Sequence, residues 1–503
     1  MQNSLILAID QGTSSTKTIV FDNKGAVLAK TTEALVTNYM ESGWVEQDPD
    51  EIYKNVISSV EKCVAEFLSN GGSLADIKTC GISNQRETFV VWDKAGNPLY
   101  PAIVWQCKRS IKVCSELKRR GLEGMLKHKT GLIVDPYFSA SKLIWLNENN
   151  AEVKNAISGG EAFFGTVDTW LLYKLTNGQK YLTDYSNASR TLLFNLHSLQ
   201  WDLDIVETFG LTGINLPEPK PSAYNFGSSS FEGIFAEPLS ISSMIGDSHA
   251  AAFGEGCFSP GTAKATLGTG CSVLKNIGPV SKSSESGMIT TICWSTESRV
   301  DYALEGVIVS CGSVIEWLKN ELALFSDSRQ TELMANEVAD NNGVYIVPAF
   351  SGLGAPYWDM TRKASIQGLT FDCTKNHIVR AALEAIAFQI KDVLDAMQAD
   401  TGVQINQLML NGGMTSNTFV LEFLADLLDC TVVNGKMPDV SALGAAYLAG
   451  LGIGIFGSID DIKELHGQKP IIESGKYKAN IQRYYQGWKA VIEEKAVLTG
   501  LGE

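Results

Sequence analysis

The feature that most constrains the fold is a strand–turn–strand unit that occurs twice along the chain. Near the N-terminus an apolar strand runs into an aspartate and a turn of glycine and hydroxyl residues, in the sequence LAIDQGTSSTKTIVF (7–21). The sequence AKATLGTGCSVLKN (263–276) repeats this plan with a Gly-Thr-Gly turn. Strands also alternate with helices such as the predicted helix 50–69, which is typical of α/β proteins. We therefore predict two α/β domains built on one plan, residues 1–253 and 254–503.

Size and composition agree with this plan and exclude several other classes. A chain of 503 residues is too long for one compact core. The formal net charge is 41 − 56 = −15, which argues against non-specific binding to nucleic acid and to anionic membranes. The ten cysteines form no C-x-x-C pair, and the N-terminus has no signal-peptide pattern. We expect a cytoplasmic enzyme with reduced thiols and without membrane insertion. The apolar stretch 442–459 is expected to form a buried helix rather than a membrane span.

The turn after the first strand is suited to bind an anion. Gly12 allows close approach of the backbone, and Thr13, Ser14 and Ser15 offer hydroxyl and amide donors. Asp10 cannot bind phosphate directly, but it can hold Mg²⁺, which prefers one or two carboxylates together with phosphate and water. For this turn alone, an ordinary hairpin with a polar turn is an equally good interpretation.

Two further turns favour a phosphate ligand over that alternative. The turn GTGC (268–271) lies at the same place in the second strand–turn–strand unit. Two such turns in a two-domain chain can bind a polyphosphate from both sides. The junction LNGGMTSN (410–417) is a third candidate, because the start of a helix after a strand favours anions.

Five other residues are candidates for an acceptor site. Arg86 and Glu87 follow an apolar strand and can bind a polyol, with Glu87 accepting and Arg86 donating; a surface ion pair is the alternative. Trp105 and Tyr137 are either pocket walls or core residues. Asp247 precedes an Ala-rich helix, where it is either a general base for a hydroxyl nucleophile or a helix N-cap.

In these turns and in further motifs, the chain resembles the FGGY carbohydrate kinases, most of all those members that phosphorylate glycerol. The match runs nearly from end to end. The motifs of the resemblance are DQGTSSTK (10–17), GWVEQDP (43–49), NQRET (84–88), AIVWQC (102–107), TGLIVDPYFSASKLIWL (130–146), GTVDTWLLYKLT (165–176), TDYSNASRTLLFN (183–195), LGTGC (267–271), YALEG (302–306), VPAFSGLGAPYWD (347–359), NGGMTSN (411–417) and SALGAAYLAG (441–450).

The resemblance implies a two-domain actin/hexokinase-like fold with ribonuclease H-like cores, and ATP with Mg²⁺ in the interdomain cleft. By position, it places Asp10 beside the metal and makes Asp247 the base. It assigns to the phosphate loop Thr13, Ser14, Ser15 and Lys17. It assigns to the nucleotide site Thr269, Gly312, Glu316, Gly413 and Asn417. It assigns to the polyol site Arg86, Glu87, Trp105, Tyr137 and Asp247.

Several positions depart from the family pattern. Ser248 stands where glycerol-phosphorylating members usually have glutamine, and Ser272 stands where they usually have phenylalanine. Both would lie at the polyol site and leave it larger and more polar. Glu316 replaces a more frequent glutamine. The stretch 227–238 lacks the Gly-rich, Arg-containing loop of members with sugar-phosphate feedback, and also lacks the histidine that some relatives phosphorylate.

Three functions agree with the sequence. The first is an ATP-dependent kinase that converts glycerol to glycerol 3-phosphate. The second is a kinase for a longer polyol or a ketose, such as erythritol, threitol, xylitol or xylulose, because of Ser248 and Ser272. The third is a polyol-independent ATPase or sensor on the same fold. The expected partners are ATP, a small polyol and further copies of the chain, in a homodimer or homotetramer, and no nucleic acid.

Overall fold

The computed structural model describes residues 4–435, 437–466 and 470–494. We call the part up to residue 253 the first half and the rest the second half, following the predicted boundary. The strands of the first half are β1 (Leu5–Gln11), β2 (Ser15–Phe21), β3 (Val27–Ala34), β4 (Asn38–Tyr39), β5 (Val45–Gln47), β6 (Ile77–Asn84), β7 (Phe89–Trp92), β8 (Ala102–Ile103), β9 (Phe163–Thr166), β10 (Leu182–Asp184), β11 (Phe194–Asn195), β12 (Gln200–Trp201), β13 (Glu218–Lys220), β14 (Ala223–Ser229) and β15 (Leu239–Gly246). Those of the second half are β16 (Thr262–Leu267), β17 (Cys271–Gly278), β18 (Ile289–Thr296), β19 (Arg299–Ile308), β20 (Tyr345–Val347), β21 (Ser365–Gln367), β22 (Gln407–Asn411) and β23 (Thr431–Asn434).

The helices alternate with these strands in both halves. Those that begin in the first half are α1 (Pro49–Ser69), α2 (Ile111–Arg119), α3 (Glu123–Thr130), α4 (Ser139–Asn149), α5 (Ala151–Ser158), α6 (Val167–Leu175), α7 (Tyr185–Ala188), α8 (Leu203–Thr208) and α9 (Asp247–Glu255). Those of the second half are α10 (Gly312–Asn320), α11 (Gln330–Asn336), α12 (Lys375–Thr401), α13 (Thr418–Leu427), α14 (Val440–Gly452), α15 (Ile459–Leu465) and α16 (Ile481–Glu493). The domain boundary after residue 253 falls within the last turn of α9 and stays a prediction.

The two halves repeat one arrangement of strands. In the described residues, twelve strands form a continuous sheet in the order β23-β22-β16-β17-β19-β18-β14-β15-β6-β1-β2-β3. In the first half, β1 pairs antiparallel with β2 and parallel with β6, which pairs parallel with β15. In the second half, β16 pairs antiparallel with β17 and parallel with β22, which pairs parallel with β23. The prediction of two α/β units on one plan is confirmed.

Helix α1 illustrates how the sequence forms these layers. The side chain of Asp48 accepts hydrogen bonds from the backbone N–H groups of Asp50 and Glu51, which satisfies two donors at the helix start. Apolar residues then recur at helical spacing, and those at 52, 56, 60, 64 and 67 are buried against the sheet of the first half. The predicted helix 50–69 is therefore confirmed to within one residue at its start.

Helix α14 connects the second half to the first. It packs against α9 and against strands β1, β6 and β15 of the first half. The two helices approach so closely that a Cβ atom on Gly444 would lie 1.9 Å from the carbonyl oxygen of Ala250, so only glycine fits there. This helix accounts for most of the apolar stretch 442–459, as predicted. Among the described residues, we find no helix with the length and apolarity needed to span a membrane.

Candidate active site

The carboxyl ends of neighbouring parallel strands bring together three predicted site residues of the first half: the metal ligand, a polyol-binding residue and the base. Asp10 lies one residue before the end of β1, in register with Ser83 on β6. Arg86 follows two residues after the end of β6, which also pairs with β15. Asp247 comes directly after β15. Ligands of open α/β sheets commonly bind at this edge, so the topology alone places these three charges at a plausible ligand site.

Asp10, the predicted metal ligand, has a partly buried carboxylate. It accepts a hydrogen bond from Ser83 Oγ at 2.9 Å. Burial, and after it the charge of Asp247, raise the pKa of Asp10 to about 6. A divalent cation would stabilise the ionised form of this carboxylate. Because the described residues contain no group of three or more His, Cys, Asp or Glu placed to bind a metal, such a cation would take its other ligands from phosphate and water, as Mg²⁺ does.

The carboxylate of Asp247 is fixed by hydrogen bonds through one of its oxygens and is partly exposed to solvent. Its Oδ1 atom lies 3.1 Å from Nε of Arg86 and accepts a hydrogen bond of 2.6 Å from the backbone N–H of Ser248. The side chain is 41% exposed. The N-cap residue of α9 is Gly246, so Asp247 is the first helical residue and its side chain does not cap the helix. This arrangement leaves a carboxylate free to accept a proton from a bound hydroxyl.

Arg86 and Glu87 do not form the surface ion pair considered above, since both side chains are buried and each has a different partner. Arg86 donates from Nη1 and Nη2 to the two carboxylate oxygens of Glu305, at 3.2 and 3.0 Å. Glu87 accepts from Nε of Arg190 at 2.5 Å, and Nη1 of Arg190 lies 2.6 Å from Glu305. The two predicted polyol residues are therefore part of a buried four-residue ion network.

Sequence reasoning missed Arg190 and Glu305 as site residues. Burial alone would raise the pKa of Glu305, but Arg190 and Arg86 hold it well below its usual range, so the carboxylate is ionised. A signal was present in the sequence, since Glu305 is an acidic residue in the otherwise uncharged second half of β19, and Arg190 lies in an otherwise uncharged stretch after α7. Their role became visible only when the side chain of Glu305 was found in contact with both Arg86 and Arg190.

Ser248 and Ser272 lie close together, as their assignment to one site requires. Their Oγ atoms are 3.5 Å apart, and both residues are half-buried. Ser248 accepts a hydrogen bond from Nζ of Lys264 at 2.7 Å, and Ser272 donates to Oε1 of Glu305 at 3.1 Å. Lys264 is a further residue that sequence reasoning missed; its pKa is lowered, chiefly by burial.

Trp105 and Tyr137 are half-buried rather than core residues. The indole Nε1 of Trp105 donates to Thr13 Oγ1 at 2.9 Å, which links the predicted polyol residues to the turn between β1 and β2. The two rings pack edge to face with centroids 5.6 Å apart, and the guanidinium of Arg190 lies 5.7 Å from the Tyr137 ring. They form an aromatic wall beside the ion network.

The predicted nucleotide residues of the second half share one cavity of about 680 Å³. The five that line it are Thr269, Gly312, Glu316, Gly413 and Asn417. The carboxyl ends of the parallel strands β16 and β22 meet at this cavity. They correspond in the sheet to the carboxyl ends of β1, β6 and β15 in the first half. The structure adds Arg329 and Glu332, on a segment for which the sequence showed no signal, to the lining.

Glycine is required where α10 meets the second turn. The N–H of Gly312 donates to the carbonyl oxygen of Gly268 at 2.8 Å. A Cβ atom on Gly312 would lie 2.7 Å from that oxygen, which is closer than real Cβ contacts. Asn417 has a partly structural role, because its side chain caps α13 and also donates to Thr331 Oγ1 at 3.1 Å.

The first turn joins β1 to β2, as the strand–turn–strand pattern predicts, and its role in binding phosphate stays a prediction. The N–H of Gly12 donates to the carbonyl oxygen of Ser15 at 2.9 Å, which closes the turn, and Ser14 at its tip is exposed. Lys17, expected on the phosphate loop, is in an ion pair of 3.1 Å with Asp439 at the start of α14. Its charge is thus already compensated by a carboxylate from the second half.

Comparison with known proteins agrees with this fold. Residues 5–254 match the N-terminal domain of the FGGY family of carbohydrate kinases, and residues 263–453 match the C-terminal domain. The chain belongs to this family.

Individual relatives cover nearly the whole chain. A glycerol kinase of Thermoanaerobacter sp. (strain X514) is 45% identical over 489 residues, which are 97% of this chain and 98% of the relative. The crystal structure of Plasmodium falciparum glycerol kinase with ADP has a TM-score of 0.93 at 35% identity and covers 98% of this chain and 99% of its own. A xylulose kinase structure from Lactobacillus acidophilus has a TM-score of 0.87 at 20% identity, with 97% of each chain covered, and shows the shared fold.

Proposed function

We propose that the chain is an ATP-dependent polyol kinase that transfers the γ-phosphoryl group of ATP to a terminal hydroxyl of glycerol and forms glycerol 3-phosphate. The observation that supports this most directly is the partly exposed Asp247 carboxylate, held by the buried Arg86 at the strand edge that also bears Asp10. Relatives named glycerol kinase, at 42–45% identity over nearly the full length, support the choice of acceptor.

Asp247 acts as the general base in this proposal. As the acceptor hydroxyl attacks the γ-phosphorus, its proton passes to a carboxylate oxygen of Asp247. Arg86 fixes the orientation of Asp247, and Glu305 fixes Arg86 through two hydrogen bonds. Trp105 and Tyr137 cover the carbon atoms of the acceptor and exclude water that would otherwise compete as a nucleophile.

The nucleotide binds with its base and ribose in the 680 Å³ cavity of the second half and its phosphates toward the two glycine turns. Asp10 would hold Mg²⁺, which neutralises charge on the transferred phosphoryl group when bound. The backbone amides of the turns around Gly12 and Gly268 donate to phosphate oxygens. Positioning and electrostatic stabilisation supply most of the rate in such a reaction.

Product analysis tests this proposal. The protein with ATP, Mg²⁺ and glycerol should form ADP and glycerol 3-phosphate in equal amounts, with little ADP formed when glycerol is omitted. ATP turnover that is the same with and without any polyol would instead indicate an ATPase or sensor on the same fold. We also propose that the chain forms a homo-oligomer, which light scattering of the purified protein tests. We propose in addition that it lies in the cytoplasm, which fractionation of its native cells tests.

A further inference from the structure

Two hydroxyl groups, one from each half, meet beside the proposed base. Ser248 lies in the first turn of α9, next to Asp247, and Ser272 lies in β17. Their Oγ atoms are 3.5 Å apart and both side chains are half-buried. At 3.5 Å this contact is a long hydrogen bond compared with the roughly 2.5–3.0 Å of an ordinary O–H···O bond, so a ligand hydroxyl at normal distance from both oxygens can replace it.

A buried cation sets the direction of the first hydroxyl. Lys264 is 1% exposed, and its Nζ donates to Ser248 Oγ at 2.7 Å and to Thr266 Oγ1 at 3.0 Å. An ammonium group has donors and no acceptor, so the Ser248 oxygen must accept from it. The O–H of Ser248 is therefore left to donate to another oxygen.

A buried anion sets the direction of the second hydroxyl. Oε1 of Glu305 accepts from Ser272 Oγ at 3.1 Å and from Arg86 Nη2 at 3.0 Å. An ionised carboxylate only accepts hydrogen bonds, so the O–H group of Ser272 must donate the hydrogen bond to Glu305. The lone pairs of the Ser272 oxygen are therefore left to accept a hydrogen bond.

An aliphatic hydroxyl group complements this pair, because it can accept from Ser248 and donate to Ser272 at the same time. A hydrogen atom or methyl group in the same place would leave the two serine groups with only their long mutual contact, so the ordinary hydrogen bonds to a ligand would be lost. We propose that Ser248 and Ser272 bind a hydroxyl group beyond the third carbon of the acceptor, so that the enzyme phosphorylates a four- or five-carbon polyol at least as well as glycerol. This inference rests on the proposed kinase function.

The test compares kcat/KM for glycerol, erythritol, threitol, xylitol and ribitol in the full-length enzyme with saturating ATP and Mg²⁺. We expect at least one longer polyol to equal or exceed glycerol. In Ser248→Ala and Ser272→Ala, the ratio of its kcat/KM to that of glycerol should fall about fivefold to tenfold, as expected for one lost hydrogen bond. Ser272→Phe should fill the space and move the preference toward glycerol.

Ser115→Ala on the exposed face of α2 is the matched control and should leave the ratio unchanged. The KM for ATP and the melting temperature of each variant separate a specificity effect from misfolding. A kcat/KM for glycerol that exceeds that of every longer polyol, or a ratio that none of the three variants changes, would overturn the inference and leave the kinase proposal intact. Absence of transfer to every polyol, glycerol included, would overturn both.

Discussion

The two halves of the molecule share one arrangement of strands but place different chemistry at the same edge. In the first half this edge bears charged side chains, with Asp10, Arg86 and Asp247 as the principal ones. In the second half it bears glycines and hydroxyls around Gly268 and Gly312, beside an open cavity. Fold alone therefore does not assign function; the side chains at the strand ends do. We assign the charged edge to the acceptor and its activation, and the glycine-lined edge to the nucleotide.

The halves are nevertheless coupled by charge. Glu305 on β19 of the second half is the counter-ion of Arg86 and Arg190, which both belong to the first half. The acceptor edge is therefore incomplete without a residue from the opposite half. Four predictions test this division of roles and the coupling between the halves.

The largest effect is expected for Asp247→Asn, which acts only on the acceptor edge. Loss of a general base should lower kcat about a thousandfold, while the affinity for ATP changes less than about threefold. Steady-state kinetics and ADP titration measure the two quantities. Asp204→Asn, at an 86% exposed side chain, is the control. Equal losses in kcat and in nucleotide affinity would mean that Asp247 is structural and that the two edges are not separate in function.

Glu305→Gln tests the coupling between the halves. It leaves two buried guanidinium groups without their shared anion, which should lower the free energy of unfolding by about 3 kcal/mol or more. Urea denaturation measures this, and the exposed Glu123→Gln should change it by less than about 0.5 kcal/mol. The pKa of Glu305 is lowered in the folded state. The stability that Glu305 contributes is therefore complete at a pH above the usual carboxyl pKa, and it is lost as the pH falls from there toward the lowered pKa. A variant as stable as the parent would contradict the coupling.

Gly312→Ala acts on the nucleotide edge. Its Cβ would press on the backbone of Gly268 and displace the second turn, so the KM for ATP should rise about tenfold. The KM for glycerol at saturating ATP should change much less. Gly124→Ala in α3, where a Cβ meets open space, is the control. A larger effect on glycerol than on ATP would reverse our assignment of the two edges.

The smallest effect concerns Mg²⁺ and pH. Since the pKa of Asp10 is about 6, its ionised fraction falls about fourfold between pH 7 and pH 5.5. The apparent affinity for Mg²⁺, measured by titration at fixed ATP, should fall by a similar factor, whereas nucleotide binding without the metal should not follow this pH dependence. A pH-independent Mg²⁺ affinity over this range would place the metal away from Asp10.

Much of the architecture and of the candidate site was determined by local sequence. The paired strand–turn–strand units, the helix near 50–69 and the buried helix near 442–459 depend on apolar periodicity and on glycine, which act over a few residues. The predicted nucleotide residues lie around one cavity because each belongs to a local turn or helix start at the same sheet edge.

Only the tertiary structure decided which charges face one another. Arg86 and Glu87 are neighbours in sequence, yet each pairs with a residue more than a hundred positions away, because the fold brings Glu305 of β19 and Arg190 after α7 to the loop that follows β6. Lys17 pairs with Asp439 because α14, which Asp439 precedes, packs against β2. The polarity of Ser248 and Ser272 is likewise set by Lys264 and Glu305, which are buried behind them. Sequence determines which residues can carry charge or turn the chain, whereas the partner of a buried charge depends on the long-range packing of strands, helices and loops, which has no local signal.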